Sequence, residues 1–320
     1  MTGCIGLILS YFLAPPTIEE APVVIKIPSN ATTGDIAAIL RENDLIRNEK
    51  VFILYTRFLG IDHALKAGTY EISGSVSVPE LAELLLRGQP EVVSFTVPEG
   101  YNLQQIADLL EEQGLASRKV FFDAVTQGEF NYSFLPDLNM DKHRLEGYLF
   151  PDTYHIGPQT SVNTIIKLML ERFQKFLNQH HYRDLAEQAG LTVHEAVTLA
   201  SLIEREAQKS YERPLISSVL HNRLKKGMPL QVDATVIYAL GKTHKDQVLL
   251  KDLEVDSPYN TYKYYGLPPG PIACPGEESL LAAVQPASTD YLYYVAKPDG
   301  SHHFSHTLAE HNLYKSRLAN

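Results

Sequence analysis

The chain is 320 residues long, 44% hydrophobic and 21% charged, with 19 Gly and 19 Pro, which supplies apolar material for more than one core and excludes a disordered, collagen-like or polytopic membrane protein. Lys plus Arg total 28 against 38 Asp plus Glu, a net charge of -10, so no global field exists to hold a phosphate backbone and nucleic acid is excluded as the main partner. Two cysteines, Cys4 and Cys274, supply neither a disulfide framework nor a metal cage.

From Gly3 to Pro15 the residues are mostly apolar and uncharged, and the acidic pair Glu19 and Glu20 follows. A spanning helix needs roughly 20 residues, and the basic start of a signal peptide is missing. Residues 1–22 are therefore expected to be a hydrophobic N-terminus, either the tail of a truncated membrane anchor or a linker, with a plain buried segment as the alternative.

A repeat comes next. Setting Ile27-Pro28 against Val97-Pro98, a shift of 70, places Ile36, Ala37, Leu40, Glu42 and Leu45 opposite Ile106, Ala107, Leu110, Glu112 and Leu115. Each copy predicts a strand, at 23–27 and 93–97, then a helix capped by Thr33 or Asn102. Second helices are expected from Glu49 to Phe58 and from Arg118 to Val125. Closing strands are expected within 66–73 and 147–156, and an added helix from Val78 to Leu86. The first copy, 23–92, resembles a LysM-like module, a small fold used on bacterial glycans; the alternative is a packing or dimerisation module that touches no sugar.

From about residue 160 the pattern turns helical. Ile165, Leu168, Leu170, Phe173 and Phe176 mark a helix over 161–179, and a second helix is expected within 191–208, capped by Thr192. On that second helix, steps of three and four from Val197 lead through Ala200 and Ser201 to Glu204, so Glu204 is expected to face inward and Glu206 to point the other way. A carboxyl carried among apolar neighbours keeps its proton to higher pH, as a general acid requires. The alternative is a salt bridge, for instance to Arg223, or a polar cluster. Further on, Asp233 is expected to cap a new helix, and Tyr259, Asn260, Thr261 and Tyr262 precede a Pro-Gly-rich loop. Amide, hydroxyl and ring groups on a stiff loop suit a sugar cleft, or else plug a core. His302 and His303 fall in a hairpin over 291–305, turned by Pro298-Asp299-Gly300, and are expected to be structural because no third ligand is spaced for zinc.

Six ordered motifs carry a resemblance. They are ASLIEREA at 200–207, NRL-x-x-G-M at 222–228, LQ-x-D-x-T-V-x-Y at 230–238, SPYNTY at 257–262, GLPPGPI at 266–272 and LEGYLFPDTY at 145–154. Together they resemble the endolytic murein transglycosylases, the YceG-like (MltG) family, over roughly residues 23–318. The resemblance implies an α+β fold: a LysM-like β-α-α-β module and a related second βααβ segment, followed by a mainly helical region, with 93–320 as the catalytic domain. It implies Glu204 as the catalytic acid and Gln231, Asp233, Tyr259, Asn260, Thr261 and Tyr262 as cleft residues. It also implies peptidoglycan glycan strands as substrate, peptidoglycan synthases as partners, no metal or cofactor, and an inner-membrane protein with its catalytic part outside the membrane if the anchor is complete.

The expected reaction is cleavage of the MurNAc-β-1,4-GlcNAc bond without water. Glu204 protonates the leaving oxygen, then accepts the C6 hydroxyl proton as that oxygen closes on C1, leaving a 1,6-anhydro end. One rival is a two-carboxylate hydrolase using Glu204 and Asp233, and another is a scaffold that holds glycan without cutting it.

Overall fold

The computed structural model describes residues 11–15, 23–72, 75–88, 93–136, 143–243 and 248–318. It divides into two compact units, Met1–Val93 and Ser94–Asn320. The fold is α+β, with helices in the majority and three two-stranded sheets among the described residues. Most of residues 1–22, including Cys4 and the bulk of the expected anchor, lie outside the described residues. No helix among the described residues is long and apolar enough to cross a membrane.

In the first unit, β1 (Val23–Ile27) pairs antiparallel with β2 (Gly68–Ile72), Ile25 opposite Tyr70. Between them run α1 (Thr33–Glu42) and α2 (Glu49–Phe58), and α3 (Val78–Arg87) follows. Alternate β1 residues Ile25 and Ile27 point inward onto Leu40, Phe52, Tyr70 and Leu81, forming one core. The cap of α1 is Thr32, one residue before the expected Thr33: its hydroxyl accepts the Asp35 N–H while Asp35 accepts the Thr32 N–H.

The second unit repeats this beginning. β3 (Val93–Thr96) pairs with β4 (Thr153–Ile156), and α4 (Leu103–Glu112), capped by Asn102 as expected, and α5 (Arg118–Gln127) lie between. Then come α6 (Val162–Gln179), α7 (Tyr182–Gln188), α8 (Val193–Glu206), α9 (Arg213–Lys225), α10 (Asp233–Ala239) and α11 (Glu277–Val284). Phe134, Tyr148, Phe150 and Phe176 pack their rings around Phe173 of α6.

Helix α8 is the hub, packed against α7, α9, α10 and α11. Its start is fixed by Thr192 and Glu195, which cap each other's backbone N–H groups. Every residue from Ala196 to Ile203 is buried, so α8 has no solvent face along this stretch before its last turn. At the end of the chain β5 (Tyr293–Ala296) and β6 (His302–Ser305) form the expected hairpin, covered by α12 (Leu308–Leu318).

The motifs singled out in the sequence converge here. His194 of α8 bonds the Tyr148 hydroxyl through Nδ1 and the Pro269 carbonyl through Nε2, both at 2.7 Å. The Ser201 hydroxyl accepts the Ile272 N–H at 3.1 Å, which pins the Pro-Gly loop to the same helix. Gly147, at φ +82°, lies so close to this loop that a Cβ there would sit 2.4 Å from the Pro271 side chain.

Candidate active site

Helix α8 delivers two carboxylates at its C-terminal end, and they go to different places. Positions two apart on an α-helix are separated by about 200° of rotation, so Glu204 and Glu206 leave opposite sides of the last turn. Both sides are covered, because α8 is central. That burial is why a reading based on a single inward stripe is incomplete.

Glu204 enters an ion cluster. Its side chain is 7% exposed, one oxygen accepts the Gly276 N–H at 3.0 Å, and the other lies 3.4 Å from the Arg213 guanidinium. Arg213 also meets Glu278 at 2.9 Å and Glu99 at 3.8 Å. The salt bridge given as the alternative for Glu204 therefore exists, with Arg213 rather than Arg223 as the cation. Burial, with Glu204 beside it, raises the Glu99 carboxyl above the ordinary range.

Glu206 opens onto a cavity of about 410 Å³. Burial raises its pKa to about 7; the Asp233 charge adds to the rise, and the Tyr294 hydroxyl, donating at 3.0 Å, together with Arg205 opposes it. The inward carboxyl expected at Glu204 is therefore paired with Arg213, while the one expected to point away, Glu206, faces a cavity.

Around Glu206 stand Gln231, Asp233 and Tyr262, three of the expected cleft residues, with Arg223, Tyr294 and His302. Asp233 is the first residue of α10 and not its cap, since Val232 holds the cap position. The Asp233 carboxylate instead accepts the Tyr262 hydroxyl at 2.5 Å, and it contributes with burial to raising that phenol's pKa. Gln231 has φ +55°, a left-handed conformation uncommon for a residue with a side chain. It is held there by its N–H to the Thr261 carbonyl at 3.1 Å and by Arg223 to its side-chain oxygen at 3.3 Å.

Asn260 and Thr261 do not line this cavity. Their exposures are 0% and 1%. Asn260 donates to the Leu253 and Val255 carbonyls, both at 2.8 Å, and Thr261 accepts the Val232 N–H at 3.0 Å. They brace the loop that presents Tyr262 and Gln231. Tyr259 faces a second cavity of about 380 Å³, lined also by Tyr238, Phe122 and Glu146. Glu146, from the LEGYLFPDTY motif, is 2% exposed, and burial pushes its pKa up to about 8 although it accepts the Leu103 N–H and the Tyr238 hydroxyl.

Glu206, Tyr294 and His302 line this cavity, and sequence reasoning singles out none of them for the cleft. It treats the first as outward-facing and the last as structural. A signal for Glu206 is present in the E-x-E spacing itself, since a helix buried on both sides gives each carboxylate a separate environment. No local pattern signals that a hairpin over 80 residues downstream brings Tyr294 against it.

A half-buried carboxyl with a raised pKa, set in an open cavity with a histidine, an amide and two tyrosines on an α+β scaffold, is an arrangement that general acid–base chemistry can use. The chain belongs to the YceG-like family, whose profile matches residues 25–317. It is 42% identical over 318 residues to the endolytic murein transglycosylase of Bacillus subtilis (strain 168), covering 93% of this chain and 85% of that protein. It is 32% identical over 317 residues to the endolytic murein transglycosylase of Streptococcus pneumoniae serotype 2, covering 91% of this chain but 57% of that longer protein. A crystal structure of a yceG-like protein from Listeria monocytogenes superposes with a TM-score of 0.64 at 38% identity, covering 92% of this chain and 99% of that one.

Proposed function

We propose that this protein is an endolytic lytic transglycosylase that cuts the MurNAc-β-1,4-GlcNAc bond within peptidoglycan strands and leaves 1,6-anhydro-MurNAc ends, with Glu206 as the general acid. The names of the relatives support the substrate class. The observation that carries the residue assignment is the Glu206 carboxyl, raised to about 7 and facing a cavity, against a Glu204 carboxylate committed to Arg213 and Gly276. A carboxyl that still holds its proton near neutral pH gives it to the leaving oxygen as the glycosidic bond breaks.

In this reading the C6 hydroxyl of the same sugar is the nucleophile, so no water is consumed. Tyr262, Gln231 and Asp233 surround the sugar, with ring faces for its apolar side and polar groups for its hydroxyls. The enzyme works outside the cytoplasmic membrane, where its substrate lies. A LysM-like role for the first unit, an anchor through residues 1–22 and contact with peptidoglycan synthases belong to the reading on the family resemblance.

The test is digestion of purified glycan strands in heavy-oxygen water, followed by mass spectrometry of the fragments. Anhydro ends without label support transglycosylation. Labelled reducing ends indicate a hydrolase with a second carboxylate, for which Asp233, lining the same cavity, is the candidate, and overturn the proposal.

A further inference from the structure

The Glu206 cavity holds a second titratable device. His302 opens β6 directly after the turn at Asp299 and Gly300, where Asp299 accepts both the N–H and the hydroxyl of Ser301. The next residue is clamped. One Glu212 oxygen accepts the His302 backbone N–H at 2.9 Å and the other meets its Nδ1 at 2.7 Å. The two side chains are 5% and 3% exposed. A carboxylate only accepts, so Glu212 fixes the hydrogen on Nδ1 and leaves Nε2 as the ring's lone-pair nitrogen.

The same ring lines the cavity into which Glu206 opens. It sits edge-on to Tyr294 with centroids 5.4 Å apart, and Tyr294 is the residue that bonds Glu206. A carboxylate-oriented imidazole that lines a reaction space and whose Nε2 makes no hydrogen bond among the described residues can take a proton, as a base held by a hydrogen-bonded orienter does in other acid–base sites. Glu212 lies in the 3₁₀ turn Ser210–Glu212, and the desolvation cost of burying an acid and a histidine together is offset by the two bonds that hold the ring in one orientation.

We propose that His302, oriented by Glu212, is the general base of this site and removes the C6 hydroxyl proton, so that acid and base are two separate groups. The proposal rests on the reading of Glu206 as the acid. In the balanced step, the Glu206 proton passes to the leaving oxygen, which departs with the C1–O4 electron pair. O6 bonds to C1 and its proton goes to Nε2 of His302. No water or oxidant enters, and the imidazolium returns the proton to the Glu206 carboxylate through solvent. The scheme in which one carboxyl serves first as acid and then as base has no need of His302.

The two schemes differ in pH dependence. A single carboxyl that must start protonated gives only an alkaline limb in kcat/KM, whereas a base that must start neutral adds an acidic limb. Other titratable groups face the same space: Asp233, Tyr262, Arg223, His311 and Lys315, besides Glu206 and Tyr294. The limb therefore has to be assigned by substitution.

The experiment measures kcat and KM on glycan strands against pH for the native enzyme and His302→Gln, whose amide still donates to Glu212. The proposal expects an acidic limb in the native profile that is absent in His302→Gln, with the alkaline limb kept, kcat down about 100-fold and KM within about threefold. In His302→Ala, added imidazole should restore anhydro-ended product in proportion to its neutral form. A native profile without an acidic limb overturns the proposal whatever the variants do. So does a folded His302→Gln with native kcat, or one whose loss lies in KM and which imidazole does not rescue in the Ala variant. Labelled reducing ends from the native enzyme, or full activity in Glu206→Gln, would instead remove the underlying reading, so the two failures are distinguishable.

Discussion

Tyr294 donates its hydroxyl to Oε2 of Glu206 at 3.0 Å, while the Asp233 carboxylate pushes the same group in the opposite direction. Burial sets the Glu206 pKa high, and these two neighbours move it in opposite senses, so near-isosteric substitutions at each should shift it in opposite directions. Tyr294→Phe deletes the bond that favours the ionised form, so the alkaline limb of kcat/KM should move to higher pH. Asp233→Asn deletes the repelling charge, so that limb should move to lower pH. Titrating activity in the two variants checks the signs. Shifts of the same sign in both would contradict the assignment of this limb to Glu206.

Raised carboxyl pKa values also make stability depend on pH. Glu206 and Glu146 stand at about 7 and about 8 in the folded chain, against 4.5 for a glutamate free in water. Between those limits the native state binds more protons than the unfolded one, so the contribution of these groups should be fully present below about pH 4.5 and be lost as pH rises through 7 and 8. Calorimetric Tm values from about pH 5 to about pH 9 should decline, and Glu146→Gln should flatten the upper part of that decline. An unchanged slope in the variant would rule out Glu146 as its source.

Asn260 braces the loop that carries Tyr262, so Asn260→Ala should act on stability and not on chemistry. It removes the donor to the part-buried Leu253 and Val255 carbonyls, at a cost of about 1 to 2 kcal/mol. Thermal denaturation should register the loss, while the folded fraction at low temperature keeps most of its kcat. A collapse of kcat with Tm unchanged would return Asn260 to the cleft.

Gly147→Ala joins backbone strain at φ +82° to a collision with Pro271. The expected loss is about 2 to 3 kcal/mol. At ~2 to 4 °C per kcal/mol for a unit of this size, a melting curve resolves it. A Tm within about 2 °C of the native value would mean that the two motifs are not tightly packed.

Much of the fold is legible in the sequence because its signals are local. The helix Glu49–Phe58 and the caps Asn102 and Thr192 follow from periodicity and capping chemistry alone. The paired strands of the repeat follow from its register. The site is half legible. Gln231, Asp233 and Tyr262 are expected in the cleft and stand together around one cavity. Asn260 and Thr261 carry the same sugar-binding chemistry, but a sequence does not say whether an amide points at solvent or at its own loop. Expecting Glu206 to point away from the interior assumes one buried face on α8, and a helix wrapped by four others has two. His302 reads as structural when judged by its lack of metal partners, whereas its partner, Glu212, lies 90 residues away in sequence.

In the proposed mechanism the acid is Glu206, and Glu204 serves the fold through Arg213 and Gly276. The most direct measurement compares Glu206→Gln with Glu204→Gln for glycan-strand cleavage per folded molecule, alongside their melting curves. We predict that Glu206→Gln stays folded and loses roughly 10²-fold or more in kcat, because an amide has no carboxylic proton to give. Glu204→Gln should keep most of its kcat and lose about 1 to 3 kcal/mol of stability as its pairing with Arg213 weakens. A folded Glu206→Gln that cleaves at the native rate, with Glu204→Gln inactive, would contradict the account.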